Sequence, residues 1–529
     1  MNFNYQKALE EILKDDARGS NPIPDPLRFS YLSFCKKEIL DTIEKLVSSG
    51  AYVPKPLLNI DVPKPNFTIR PMARPEINDW IVYQSIIDYI APLITKKVSN
   101  RSYSIKNFKN PKRKIDAWKS FDDKSRELYE TGYKFAVVTD ISGYYENIDL
   151  DELRKKLINY ASGDKYFEKI INFLYNNFLI RWSGLRVKNF GLPQGPSASS
   201  LLGDLYLDNI DREMEGLKKC YYFRYMDDIR IFCKTEIDAK LALIEIIKSL
   251  RKYKLNINAK KTKILEGASI EKELFDPKKP LLDAVQEAID SRDLKKIDAV
   301  APILVDIFNG GFDENNNFDK RHIGYSIFRL SILKTSGIDF DEDCVVDLIL
   351  SNFTKKPQHA AAFCSFLSLF PNNENIQKFM INFVNSKENI YEQQFMHVLR
   401  SLLEIRISLP KRIIKRFIEI FKDKNNHWAI RSLCALLIGK CGIQQDKELL
   451  VDGFSAFDQN ELKQNIILSV QELGTASKND FFSSISKNDI DMKEYINYIK
   501  GLSAPMYFRP YDKVKIDNFT IELEADGYY

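Results

Sequence analysis

Residues 225–228, Tyr225-Met226-Asp227-Asp228, decide how this chain is read. They lie between two runs of β character, 221–224 and 229–233, so the acidic pair falls at the tip of a tight hairpin. Upstream, Phe135-Ala-Val-Val-Thr139 is a short apolar run rich in β-branched residues. Such a run reads as a buried strand, and it ends on Asp140. A carboxylate at the end of a core strand, facing others on a hairpin, is the geometry that holds two divalent cations about 3.5–4 Å apart. Mg²⁺ suits such a site because it takes oxygen ligands and leaves its other positions to phosphates and water. Mn²⁺ is the alternative ion. Taken singly, Asp140 also reads as a strand-end turn residue and the acidic pair as a solvated hairpin tip. The neighbouring segments decide between these readings.

Between the two acidic positions, Gly191-Leu-Pro-Gln-Gly-Pro-Ser-Ala-Ser-Ser200 gathers two glycines and two prolines just ahead of a helical run, 201–214. This composition fixes an unusual backbone and lets amides and Gln194 approach a nucleotide or template closely. Downstream, Ile257-Asn-Ala-Lys-Lys-Thr-Lys-Ile264 is a polar turn feeding a short strand, with Lys261 near its start. Ahead of all these lies Phe67-Thr-Ile-Arg70-Pro-Met-Ala-Arg74, which leads into Asp79-Trp-Ile-Val-Tyr83. Read in order over about residues 54–265, the segments resemble the motifs of reverse transcriptases. Asp140 with its two tyrosines resembles motif A, GLPQGPSAS motif B, YMDD motif C and INAKKTKI motif D. The Arg70–Arg74 segment is similar to the fingers region of that family.

The resemblance implies a right-hand polymerase, with fingers and palm, that joins dNTPs by two-metal chemistry. Asp140, Asp227 and Asp228 would be the catalytic carboxylates. Asp140, the Ile141 carbonyl, Asp227 and Asp228 would hold two Mg²⁺ ions. Tyr145 falls where the family places a steric gate against the ribose 2′-hydroxyl, and Tyr144 takes that place if the alignment slips by one. Arg70 and Arg74 would grip the triphosphate, since guanidinium forks suit phosphate oxygens. Gln194 would lie near the nascent base pair, and Lys261 would protonate or screen pyrophosphate. No motif for gripping a primer is read in 265–275. Such chemistry rests on positioning and electrostatics and uses no covalent nucleophile. The four His and seven Cys are scattered without CxxC or HxxxH spacing, which argues against zinc, haem or a disulfide framework.

The net charge of +5 says little about nucleic acid, but its distribution says more. Residues 96–119 hold nine Lys/Arg, among them Arg101, Lys106, Lys112, Arg113 and Lys114, against the one acid Asp116. Tyr103, Phe108 and Trp118 are interleaved, a pattern that neutralises phosphates and stacks on unpaired bases. With 44% hydrophobic and 29% charged residues, the composition is that of a soluble globular protein of several domains. No apolar run is long enough to span a membrane, and the N-terminus reads as an amphipathic helix rather than a signal peptide, which points to the cytoplasm.

After about residue 275 the pattern changes to long amphipathic helical stretches, among them 281–290, 302–308, 359–369, 391–405 and 410–421. The segment 428–442 resembles 462–474 at an offset of roughly 32 residues, in the range of helical-hairpin repeats. The expected fold class is therefore α+β. Fingers and palm occupy 1–275, an all-α HEAT-like repeat domain or a plain helical bundle 276–500, and a tail 501–529. The repeat half is expected to pack on the palm and to build a homo-oligomer interface. No RNase H-like acidic set, no HNH or Cys-rich endonuclease and no maturase-like segment is read. Polymerase motifs followed only by helices resemble the bacterial abortive-infection and defence-associated reverse transcriptases of the unknown-group class. That resemblance implies antiphage defence and DNA synthesis that is template-independent or guided by an associated noncoding RNA. It also implies priming by a protein tyrosine, with Tyr5, Tyr528 and Tyr529 as candidates. The other readings are a retron- or intron-type enzyme copying a defined RNA, and a catalytically idle RNA-binding scaffold.

Overall fold

The computed structural model describes residues 3–17, 21–105, 114–183, 187–405, 408–452, 454, 457, 459–488 and 490–509. Its main sheet has four antiparallel strands in the order β4-β5-β3-β6. These are β3 (Phe135–Thr139), β4 (Cys220–Tyr225), β5 (Asp228–Cys233) and β6 (Lys263–Glu266). A separate hairpin joins β1 (Leu58–Pro63) to β2 (Ile69–Arg74).

Alternation along the strands divides the core. Val137, Tyr222, Ile229, Ile231 and Cys233 face one side, where they join the large core with residues of the helices Ser197–Tyr206, Asp208–Glu215 and Glu236–Lys252. Ala136, Phe223, Tyr225, Phe232 and Leu265 face the other side and pack with the helices Lys114–Glu130 and Ala268–Leu274. Both faces of the sheet are thus covered. The segment 265–275, in which no primer-gripping motif was read, completes β6 and forms that short second helix.

One buried guanidinium ties the hairpin of β4 and β5 to its backing helices. Arg224 is fully buried and pairs with Asp204 at 2.8 Å and with Asp211 at 2.7 Å. It also donates to the Met226 carbonyl at 3.0 Å. Ser102 and Ser104 donate to Asp204, and the Met226 amide donates to Ser104 Oγ. Tyr222 donates to Asp211 at 2.8 Å. Each charged group has charge-assisted partners, which is what makes its burial tolerable.

From the helix Lys279–Asp290 to Ile490–Lys500, every element of the second half is helical. This half is fastened to the first at several places, three of which follow the chain from its start to its end. Near its start, His322 and Arg321 pair with Asp276 at the end of the palm, at 3.0 and 3.4 Å. In its middle, the helix Glu392–Glu404 and the turn Pro357–His359 lie against β1. Tyr391 donates there to the Phe67 carbonyl at 3.1 Å, and His427 Nε2 lies 2.6 Å from the Asn59 carbonyl. At its end, Tyr495 and Tyr498 meet Tyr31 and Ser30 beside the helix Tyr31–Ser48. The two segments of similar sequence form the helices Trp428–Cys441 and Asn460–Ser469, which pack directly on each other. A Cβ on Gly439 would stand 2.1 Å from the Ser469 carbonyl, so the close approach requires glycine there.

Three expectations change. Tyr5 is not on a loose end: it is buried in the helix Tyr5–Ala17, and burial pushes its phenol up to about 12. Residues 501–509 are no free tail, because Tyr507 is buried on Glu472 and the Arg509 amide donates to the Pro26 carbonyl. Tyr103 and Trp118 are not available to bases. Tyr103 belongs to the second core, and Trp118 packs edge-on to Tyr225 at 5.1 Å. All seven cysteines are thiols, with Cys220 and Cys233 opposed across β4 and β5, their sulfurs 2.9 Å apart. Among the described residues no helix is long and apolar enough to cross a membrane.

Replacing Arg224 by Ala leaves Asp204 and Asp211 buried without their cation. The expected cost in urea denaturation is about 3–5 kcal/mol. A loss below about 1 kcal/mol would show that the pair does not hold the hairpin.

Candidate active site

Strand register brings the three acids together. Thr139 pairs with Ile229, so the next residue, Asp140, continues opposite Asp228. Alternation puts both on the face shared by Ala136, Val138, Arg230 and Phe232. Tyr225 pairs with Asp228, leaving Met226 and Asp227 as a two-residue turn, with Met226 at φ +53°. Asp140 is buried. Its Oδ2 accepts from Lys261 Nζ at 2.6 Å, and its Oδ1 has no hydrogen-bond partner. Enclosure, then the charges of Asp228 and Asp140, push the Asp227 carboxyl up to about 6. Asp228 keeps an edge open to solvent, but enclosure by the surrounding protein raises it too, against the pull of Arg230 and Lys261. The Asn258 amide donates to the Asp140 carbonyl and the Ser142 amide to the Asn256 carbonyl. These bonds flank Ile141, which bridges to Ile257, and leave its own carbonyl outside that pairing.

Among the described residues, no three carboxylate, thiol or imidazole groups already stand at ion-holding distance. The donor set nonetheless fits a hard cation. It offers only oxygen, with one buried Asp140 oxygen unpartnered and an Asp227 carboxyl whose charge a cation would offset. Lys261 supplies part of that positive charge in this structure.

The glycine-rich loop is stitched to both neighbours. Gly191 and Leu192 amides donate to the Ile148 and Tyr145 carbonyls, and the Ala73 amide donates to the Gln194 carbonyl at 2.7 Å. Gly195, at φ +141°, lies so close to β2 that a Cβ would meet the Ala73 carbonyl oxygen at 2.5 Å. A small cavity between these segments is lined by Pro71, Ala73, Tyr145, Leu192 and Gln194. Tyr144 is buried and donates to the Gly203 carbonyl, whereas Tyr145 is half-buried, with its hydroxyl 3.5 Å from Ser200 Oγ. Of the two tyrosines, Tyr145 is the one that borders open space. Tyr83 ties the fingers helix Ile77–Ile94 to this region through Ser199 at 3.1 Å.

The two arginines of β2 part company. Arg70 is exposed, and its charge reaches Asp227. Arg74 is buried, lies 3.5 Å from Glu461 of the helical half and stacks 5.5 Å from Phe29, so it cannot grip a triphosphate as expected. Arg101 is likewise engaged, 3.6 Å from Glu215 and 4.2 Å over Tyr221, rather than free for phosphates. Lys106, Lys112, Arg113 and Phe108 lie outside the described residues, as does the side chain of Lys114. Sequence reasoning missed two cations at the site, Lys64 beside Arg70 and Lys320 from the helical half. It also missed Asp204 and Asp211, two of three aspartates (with Asp208) spaced four and three residues apart in the helical run 201–214.

Residues 62–289 match the family described as "Reverse transcriptase (RNA-dependent DNA polymerase)". That segment is a reverse-transcriptase domain, and the enzyme class of such a domain is RNA-directed DNA polymerase. The chain is 27% identical over 216 residues to the group II intron-encoded protein LtrA of Lactococcus lactis subsp. cremoris, covering 40% of this chain and 34% of that one. It is 24% identical over 165 residues to protein YkfC of Escherichia coli K12, covering 31% and 42%. It thus spans well under half the length of either relative. Among solved structures, telomerase from Candida albicans in complex with a fragment of telomeric RNA aligns with 74% of this chain and 70% of that one, at 12% identity and TM-score 0.32.

The raised Asp227 carboxyl predicts a pH signature. An unfolded aspartate titrates near 3.9. Without metal, protonation therefore adds stability that is complete below about 4 and lost as pH rises through about 6. Melting temperatures of wild type and Asp227→Asn, followed from pH 7.5 to 4.5, should show wild type gaining on the variant as pH falls. Mg²⁺ at pH 7.5 should cancel the wild-type deficit, and a pH-independent difference would refute the assignment.

Proposed function

We propose that this chain is a polymerase that joins dNTPs into DNA by two-metal nucleotidyl transfer. The observation that carries this reading is the convergence of Asp140, Asp227 and Asp228 at one end of the sheet, with Lys261 on Asp140. Asp140, the Ile141 carbonyl and Asp227 would hold the ions, with Asp228 toward the primer end. When bound, the ions activate the attacking hydroxyl and offset charge on the leaving pyrophosphate. The residues of the chain do the positioning. Tyr145 borders the cavity wall and excludes a ribose 2′-hydroxyl, Gln194 lies on the loop beside the nascent pair, and Arg70 faces the phosphates. Lys261, freed from Asp140, screens or protonates pyrophosphate.

Synthesis is template-independent or guided by an associated noncoding RNA, and the role is antiphage defence by abortive infection. What supports that role is the layout of polymerase motifs followed only by helices, which we read as a HEAT-like array that self-associates. A monodisperse monomer in light scattering at micromolar concentration would count against self-association. If a protein tyrosine primes synthesis, Tyr5 is unsuited because it is core, and Tyr528 and Tyr529 are the candidates. Label that migrates with protein until protease releases it would identify such priming. A second reading, a retron- or intron-type enzyme copying a defined RNA, draws on the likeness to an intron-encoded protein. Sequencing of co-purified nucleic acid separates the two, because a discrete cDNA complementary to a partner RNA supports copying, whereas homopolymeric or random DNA supports template-independent synthesis.

Asp227→Ala with Asp228→Ala should lower Mg²⁺-dependent dNTP incorporation roughly a hundredfold or more while RNA binding persists. Phage protection should fall with it, and unchanged protection would favour an idle RNA-binding scaffold. Replacing Tyr145 by Val should raise ribonucleotide incorporation relative to dNTPs by roughly tenfold or more. An unchanged ratio would remove Tyr145 from the gate.

A further inference from the structure

Four cations from four separate segments converge on the acidic trio. Lys64 follows β1, Arg70 lies on β2, Lys261 precedes β6, and Lys320 is the second residue of the helix Asp319–Ser336 in the helical half. Lys320 lies outside the segment that matches the polymerase family. Its charge acts on Asp228 and meets those of Arg70 and Lys261, so it stands within electrostatic reach of the acidic trio.

The surroundings of Lys320 explain how a residue so distant in sequence is held there. Its predecessor Asp319 is taken by Lys356 at 2.6 Å. Lys356 immediately precedes the turn Pro357–His359, which rests on β1 and on the turn Pro65–Phe67 that follows Lys64. Its successors Arg321 and His322 are taken by Asp276 at the end of the palm. The start of the helix is therefore pinned to the fingers on one side and to the palm on the other, with Lys320 between the pins. Asp319 is engaged by Lys356, and the acid that acts most on Lys320 is Asp228 of the site.

Among the described residues, Lys64, Arg70 and Lys320 form no ion pair within 4.0 Å. Lys320 and Arg70 are exposed and Lys64 is half-buried, and Lys64 and Lys320 each feel the positive charges of Arg70 and Lys261, which disfavour one another. Such an arrangement becomes favourable when a polyanion enters. The proposed reaction brings one, the triphosphate of the incoming nucleotide, and an ammonium group suits it as a compact point charge.

We infer that Lys320 binds the triphosphate of the incoming dNTP, so that the helical half completes the active site of the polymerase half. The inference rests on the polymerase reading above. In it Lys320 is a substrate-binding residue that makes no bond and transfers no proton.

The test uses the full-length chain with Mg²⁺ and compares wild type, Lys320→Gln, Lys320→Arg and the surface control Lys378→Gln. Circular dichroism and melting temperature check that each folds. Lys320→Gln should raise KM for dNTP roughly tenfold with a smaller change in kcat, and weaken inhibition by inorganic pyrophosphate in parallel. Lys320→Arg should restore most of both, and Lys378→Gln should match wild type. If folded Lys320→Gln keeps wild-type KM and pyrophosphate inhibition, the inference fails while the polymerase reading stands. If wild type itself neither incorporates dNTPs nor binds a non-hydrolysable dNTP analogue with Mg²⁺, the polymerase reading fails and takes the inference with it.

Discussion

The position of the acidic turn depends on a guanidinium that touches neither ion nor substrate. Arg224 lies at the heart of the fold, its charge divided between Asp204 and Asp211 and one of its nitrogens on the Met226 carbonyl. Burying such a cluster is unfavourable unless every partner is in place, so the hairpin, the two backing helices and the Ser102–Ser104 segment adopt one arrangement together. The consequence for chemistry is positional accuracy. Asp227 follows immediately after a residue held through both its amide and its carbonyl.

A second constraint is electrostatic. Asp140, Asp227 and Asp228 repel one another, and Lys64, Arg70, Lys261 and Lys320 do the same at the other sign. The protein sets the two groups against each other, with one direct contact between them, Lys261 to Asp140. A site built this way is a poor resting state and a good receptor. Cations relieve the acids, a triphosphate relieves the bases, and each makes room for the other.

How much of this could be read in the sequence depended on whether the cause was local. Asp140 at a strand end and Asp227/Asp228 on a hairpin follow from apolar runs bounded by polar turns, and the sheet places them as that pattern implies. Arg70 and Arg74 look equivalent in sequence, four residues apart on one strand. What separates them is Glu461, which lies 387 residues further along and buries Arg74. Trp118 carried the composition of a nucleic-acid surface, yet its helix lies against the sheet and the ring is used in packing. The helical stretches of the second half were legible by period, as at 391–405 and 410–421, which became Glu392–Glu404 and Lys411–Lys422. That another helix, Asp319–Ser336, brings Lys320 within electrostatic reach of Asp228 was not, because no local pattern encodes where a distant helix docks.

The three fastenings of the helical half have a consequence in time. Ser30 bonds Tyr498 across 468 residues, and Lys320 reaches a cleft whose other parts are all encoded before residue 265. During synthesis the polymerase half leaves the ribosome first, with its sheet and carboxylates able to form. It lacks its last cation until the start of the second half has emerged, and its N-terminal helices lack their final partners until nearly the whole chain has. Loop closure over such distances is slow even where its thermodynamic cost is modest. A nascent chain would therefore hold the acidic trio before it holds the cation from the second half, and the emergence and docking of the start of that half would set the moment at which the site is whole.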